Sequence, residues 1–282
     1  MKKIILVVVL IAIAGIAGLV RSHTKNGGSI REWRLGINSQ NPPAGEAREE
    51  IQKSYELSPG ARVEVSGING AVKIEISDSK TADVYVERTG ASQEALNRRK
   101  LIIDSTPSGL TIRGEKGDGS FLARIFGSNP SERVTLRLPR QVSLLVKGVN
   151  GSVVVGESEG PVEVHGINGK VQIDQATSSA EFKGINGNVS VGLKQLDKSG
   201  IDISGINGNI ELRLGEAVNA DLETHGMNGS VTSDIPNVVV DKNKRGSYSA
   251  QIGRGGNSIT ASGINGNIRL KQLADAQPIG DR

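Results

Sequence analysis

The chain has 282 residues with 37 Gly, no Cys, three Phe, three Tyr and one Trp, and a formal net charge of +4. That length allows one or two domains and a core that needs no covalent staples. The absence of Cys excludes disulfide frameworks, thiol nucleophiles and thiolate metal sites, and so few rings leave the core to Ile, Val and Leu.

Lys2 and Lys3 precede an unbroken apolar or small run, residues 4–20, that ends at Arg21. The segment 1–21 is expected to be an apolar helix, either a cleaved export signal or an uncleaved membrane anchor. The run is long for a signal core and has only Gly15-x-Ala17 as a cleavage site, which favours the anchor, and it reaches the short end of a membrane span. Both readings make the membrane a partner and put the body outside the cytoplasm, anchored in one case and secreted in the other. Lipidation at Cys is excluded. Residues 22–48 read as a flexible tether broken by Asn26-Gly27-Gly28 and Asn41-Pro42-Pro43, with Trp33 as an interfacial contact. The folded body is expected over 49–272 and a polar tail over 273–282.

One tetrapeptide, Gly-aliphatic-Asn-Gly, organises that body. It occurs seven times, beginning at Gly67, Gly148, Gly166, Gly184, Gly205, Gly226 and Gly263, with offsets of 81, 18, 18, 21, 21 and 37. Apolar residues alternate at period two on both sides, from Val63 and Val65 through Val72 and Ile74 in the first copy to Ile259 and Ala261 through Ile268 and Leu270 in the last. Period-two alternation is the strand signature. A strand, corner and strand repeated every 18–21 residues leaves no room for a crossover helix. The reading is an all-β fold built as a parallel β-solenoid, right-handed by the general rule for β-crossover-β connections. Seven coils about 4.8 Å apart would span roughly 30 Å.

Each motif position then has a physical task. The glycines permit a tight corner between stacked coils. The aliphatics Ile68, Val149, Ile167, Ile185, Ile206, Met227 and Ile264 are expected to point inward. Asn69, Asn150, Asn168, Asn186, Asn207, Asn228 and Asn265 are expected to stack as a structural amide ladder, in preference to a row that binds glycan or ion.

The tetrapeptide is absent from 81–140. Val84–Val86, Leu101–Ile103, Leu110–Ile112 and Val134–Leu138 still read as strands, Thr106-Pro107-Ser108-Gly109 as a hairpin turn and 91–100 as one short helix. This section is expected to be antiparallel and to cap the solenoid. Phe121 and Phe126 fall in a Gly-rich insertion expected to plug the end of the core or pack under a loop, in preference to an exposed apolar contact for a membrane or partner. Lys242-Asn243-Lys244-Arg245-Gly246 is expected to protrude as a basic loop, and a final coil beyond Leu270 to leave an open edge.

No catalytic constellation emerges. His165 and His225 each precede a motif Gly, and three motif intervals would place them about 14 Å apart, too far to share a metal. His23 lies in the tether. Gly253-Arg254-Gly255-Gly256 lacks the Lys-Ser/Thr and following helix of a phosphate loop. Glu163, Glu181, Asp202, Glu211 and Glu223 are on strands, and alternation turns them to solvent, which does not mark a desolvated acid pair. No cofactor or metal is expected. Net charge is +7 over 1–147, −7 over 148–234 and +4 over 235–282. Acidic middle coils argue against nucleic acid, and the basic flanks suit an anionic envelope surface.

The repeats Gly148-Val149-Asn150-Gly151, Gly166-Ile167-Asn168-Gly169, Gly184-Ile185-Asn186-Gly187 and Gly205-Ile206-Asn207-Gly208, with the upstream strand Arg133–Pro139, resemble a bacterial family. That family comprises exported proteins of unknown function grouped as putative adhesins, whose GIN head domain is a β-helix. The resemblance covers roughly residues 50–272 and implies a cell-envelope scaffold or binding module with no catalytic residues to carry over. An envelope-stress or regulatory accessory held at the membrane is the second reading, and a polysaccharide-processing enzyme the third. An envelope protein or a surface glycan is the expected partner.

Overall fold

The computed structural model describes residues 47–116, 129–236 and 238–273. The apolar run, the tether with His23 and Trp33, the Phe121–Phe126 stretch and the tail from residue 274 lie outside the described residues. Among the described residues no helix is long and apolar enough to cross a membrane.

The fold is all-β, with two long mixed sheets. The first holds β1 (Ala47–Glu56), β3 (Val72–Ser77), β4 (Thr81–Gly90), β7 (Ser131–Pro139), β9 (Val153–Ser158), β11 (Val171–Ala176), β13 (Val189–Leu193), β15 (Ile210–Leu214), β17 (Val231–Ser233) and β21 (Ile268–Gln272). The second holds β2 (Arg62–Ser66), β5 (Arg99–Thr106), β6 (Gly109–Lys116), β8 (Ser143–Lys147), β10 (Val162–His165), β12 (Ala180–Asn186), β14 (Ile201–Asn207), β16 (Ala220–His225), β18 (Val240–Lys244), β19 (Ser247–Ile252) and β20 (Asn257–Ser262). Every motif links a strand of the second sheet to the next strand in the first, so each motif unit supplies one strand to each.

Neighbouring units pair in parallel and in phase, as in Val164 against Val146 and Phe182, or Ile173 against Val155 and Val191. Phase matters because a slip of one residue would turn every apolar side chain to solvent. The inward columns of both sheets meet in a single core, and the motif aliphatics from Ile68 to Ile264 are all buried in it. Among the described residues Phe182 is the one fully buried ring, set among Val, Ile and Leu columns, and Tyr248 lies at the margin of the same core.

Spatial order departs from chain order at both ends. The second sheet runs β18-β19-β16-β20-β14-β12-β10-β8-β2-β6-β5, and the first runs β1-β4-β7-β3-β9-β11-β13-β15-β21-β17. The seventh motif unit, β20 and β21, therefore lies between the fifth and the sixth. The expected open edge beyond Leu270 does not exist, because Leu270 pairs with Leu212 on one side and Ser233 on the other. Inward polarity explains this order. The sixth unit carries Thr224 and Ser233 in inward phase, whereas the seventh carries Ile259, Ala261, Ile268 and Leu270, so the more apolar unit takes the enclosed place.

The section 81–140 is also not wholly antiparallel. β1 and β4 pair antiparallel with each other, β4 with β7, and β5 with β6, across a turn at Pro107-Ser108. But β6 pairs parallel with β2 and β7 with β3, which adds an eighth parallel unit without the tetrapeptide. The short helix α1 (Gln93–Asn97) is capped by Ser92, whose hydroxyl accepts from the Ala95 N–H at 3.2 Å. At the other end, Val240–Lys244 is not a protruding loop. It is a strand of the β18–β19 hairpin, whose β19 pairs antiparallel with β16. The inward Thr224 has a task there, since its Oγ1 accepts from the Tyr248 N–H at 2.8 Å.

Candidate functional site

Three arrangements of polar side chains are candidates, and the motif asparagines form the first. Asn150 Nδ2 donates to Asn69 Oδ1 at 3.0 Å, Asn168 to Asn150 at 3.0 Å, Asn186 to Asn168 at 3.1 Å and Asn207 to Asn186 at 3.0 Å. Beyond Asn207 the row follows spatial order: Asn265 donates to Asn207 at 2.9 Å and Asn228 to Asn265 at 3.0 Å. Each interior amide gives one bond and takes one, so the row is held together along its own length. The glycines Gly67, Gly148, Gly166, Gly184, Gly205, Gly226 and Gly263 all sit near φ +62 to +64 at the start of this corner.

The ladder ends at a buried ionic cluster. Val134 pairs with Val72, so Asn129-Pro130-Ser131-Glu132 takes the place of a tetrapeptide in the eighth unit. Pro130 fills the inward aliphatic position, and its carbonyl accepts from Asn69 Nδ2 at 2.8 Å. Glu132 stands where other units have the second glycine, with 0% of its surface exposed. Its carboxylate accepts from the Asn69 N–H at 3.1 Å and from Arg99 Nε at 2.9 Å, while Arg99 also reaches the Gly67 carbonyl. Arg88, 5% exposed, lies beside Glu132 and bonds Glu49 and the carbonyls of Leu96 and Arg99. Outside this cluster opens a cleft of about 310 Å³ bounded by Gly67, Asn69, Arg99, Asn129 and Asn150.

The third arrangement is the outer face of the second sheet. Glu163, Glu181 and Asp202 lie on consecutive strands in one row, and Thr260 separates Asp202 from Glu223. Beside them runs Lys147, His165, Lys183, Ser204, Ser262 and His225. The inserted seventh unit puts four strand spacings between His165 and His225, about 19 Å in place of 14 Å, so the two remain apart. Glu211 is on the other sheet, 2.6 Å from Lys271.

Glu181 and Glu211, with Glu64 on β2, have cationic side chains beside them. Lys147 lies 3.0 Å from Glu64, Lys183 2.6 Å from Glu181, and His165 Nε2 2.9 Å from Glu181 Oε1. Hydrogen bonds from Lys147, Lys183 and Lys271 hold Glu64, Glu181 and Glu211 respectively below the ordinary glutamate range. A lowered folded-state pKa contributes stability above the unfolded value and loses it as pH falls through the folded one. Thermal melts are therefore expected to weaken as acid takes the pH below the ordinary glutamate range. The drop should shrink in Lys183→Met, because that variant has already lost one pairing, and it should be small throughout because solvent screens these groups.

Gly253–Gly256 forms a turn between β19 and β20. Its Arg254 and Gly256 N–H groups donate to Asn219 Oδ1 and Asp221 Oδ2, both at 2.8 Å, which leaves no cradle for a phosphate. Among the described residues no group of three His, Asp or Glu side chains could hold a metal ion. Sequence reasoning overlooked Glu132, Arg88 and Arg99. Two of them left a signal, for Glu132 is in phase with inward Val134 and Arg88 with inward Val86, and opposite charges in inward phase mark a buried pair.

No protein-family model matches the chain, and no curated protein sequence does. Solved structures resemble it weakly. One described as a putative cell adhesion protein of Clostridium sporogenes is 15% identical, with 80% of this chain and 100% of that chain covered and a TM-score of 0.35. A putative adhesin of Bacteroides fragilis is 10% identical over 79% of this chain and 97% of its own, with a TM-score of 0.30. A putative lipid binding protein of Parabacteroides distasonis is 10% identical over 79% and 94%, with a TM-score of 0.24. At such scores the likeness fixes neither the fold nor the function of this chain.

Proposed function

We propose that the chain is a non-catalytic β-solenoid of the cell envelope, an adhesin-like rod held outside the cytoplasm by residues 4–20. Its coils of 18–21 residues are right-handed, and the sections beyond β3 and β16 cap their ends. The ligand is a surface glycan, and it lies along the outer face of the second sheet. The observation that carries this reading is the pair of in-register rows from Lys147 to His225 and from Glu163 to Glu223, which set charged and hydroxyl groups at strand spacing on an open face. Such a surface suits a polymer with a repeating polar backbone better than a small substrate, which needs a concave pocket. The cationic neighbours that lower Glu64, Glu181 and Glu211 also work against glycan hydrolysis, whose general acid needs a raised pKa.

The test is binding of the full chain to immobilised bacterial surface polysaccharides, with polymer length followed in parallel. Salt-sensitive binding is expected, weakened about tenfold or more by the double variant Lys147→Glu, Lys183→Glu. Binding unchanged in that variant, or absent from every polysaccharide, would contradict the proposal. Shortening of the polymer would point instead to a processing enzyme.

A further inference from the structure

We infer that Asn228-Gly229 is the motif site at which the amide ladder begins to deamidate spontaneously, making the outermost rung a slow chemical modification site. Every motif asparagine precedes a glycine, the residue that least obstructs attack by the following backbone nitrogen on the side-chain amide. The Gly nitrogen, having given its proton to a base, attacks Asn Cγ. A C–N bond forms and the Cγ–Nδ2 bond breaks, the departing nitrogen taking the proton back from the base to leave as ammonia, and a cyclic imide remains. Water then opens the imide by adding hydroxyl to one carbonyl carbon and hydrogen to the ring nitrogen, which gives aspartate or isoaspartate.

What distinguishes the seven sites is how firmly each amide is held. Asn150, Asn168, Asn186, Asn207 and Asn265 each donate through Nδ2 to one neighbour and accept at Oδ1 from another. Asn69 is held on both sides too, by Pro130 and Asn150. Asn228 donates to Asn265, but among the described residues no donor reaches its Oδ1. The backbone nucleophile differs in the same direction. The N–H groups of Gly169, Gly187, Gly208 and Gly266 donate to the asparagine carbonyl of the adjacent unit. Those of Gly70, Gly151 and Gly229 have no such acceptor among the described residues, and of these three Gly229 alone is exposed, the second glycines of the other six motifs being half-buried. The exceptional site is set by the spatial position of the sixth unit, not by its place in the chain. Conversion at Asn228 replaces its Nδ2 donor with an acceptor and leaves Asn265 as the next rung held on one side.

The experiment incubates the purified full chain at mildly alkaline pH and quantifies conversion at each motif asparagine by peptide mapping and mass spectrometry. A parallel sample is held unfolded in denaturant. In the folded protein Asn228 is expected to convert about fivefold faster than any of the other six, the factor carried by one net hydrogen bond. In the unfolded sample all seven should convert at similar rates. Conversion of Asn228 no faster than that of Asn168 or Asn186 in the folded protein would overturn the inference. So would the same preference for Asn228 in the unfolded chain, since local sequence would then be its cause.

Discussion

Glu132→Ala is expected to lower the free energy of unfolding by about 3–5 kcal/mol, because it removes one partner of a buried ionic cluster and leaves the others. Arg99 would keep its bond to the Gly67 carbonyl but lose its counter-charge, and the Asn69 N–H would lose the carboxylate it meets at 3.1 Å. Arg88 would retain Glu49. The loss falls where the first motif unit joins the eighth, so Asn69 should loosen with it. Chemical denaturation read by far-ultraviolet circular dichroism measures the effect. A double variant with Arg99→Met should cost less than the sum of the two single variants, because the second change removes the charge that the first left unpaired. A loss below about 1 kcal/mol for Glu132→Ala would mean that the cluster is solvated and does not hold the end section.

The second large effect separates the two glycines of one motif. A Cβ on Gly208 would lie 2.2 Å from the Gly187 carbonyl oxygen and 2.6 Å from its carbon, an overlap with backbone that relaxes only if two units move apart. A Cβ on Gly205 meets nothing closer than the Gly184 nitrogen at 3.6 Å, so there the obstacle is φ of +64 alone. Gly205→Ala is therefore expected to cost about 1–2 kcal/mol. Gly208→Ala should cost more than about 4 kcal/mol, in the range reserved for a named steric fault. Equilibrium melts of the two variants make the comparison, and equal costs would show that conformation, not unit spacing, sets the requirement for glycine.

The regular part of the fold was legible because the physics of each unit is local. A tetrapeptide with alternating flanks states both the strand phase and the corner, and nothing distant alters that. The order of the units was less legible, since spacing along the chain does not encode which neighbour a strand selects. The clue lay in composition: Thr224 and Ser233 put polar side chains in the inward phase of the sixth unit, which suits it to an end. The eighth unit was hidden for a related reason. Its corner, Asn129-Pro130-Ser131-Glu132, keeps an inward apolar residue at Pro130 but replaces the second glycine with a side chain that only an end can accommodate. Among the candidate site residues, the ladder followed from turn chemistry, whereas the Arg88 and Arg99 partners of Glu132 came from strands that antiparallel pairing brings in from elsewhere.

Unit order is also the claim most open to direct measurement, because the chain has no native Cys to confuse a cross-link. Ser204 pairs with Ser262, and Ser262 with His225, so Ser204 and His225 are two strand spacings apart. A disulfide needs Cα atoms within about 7 Å. Oxidation of the Ser204→Cys, Ser262→Cys variant should therefore form a disulfide in high yield, and the Ser204→Cys, His225→Cys variant should form none within the chain. Efficient closure of the second pair, with none of the first, would mean that the units stack in chain order and would contradict this account of the fold.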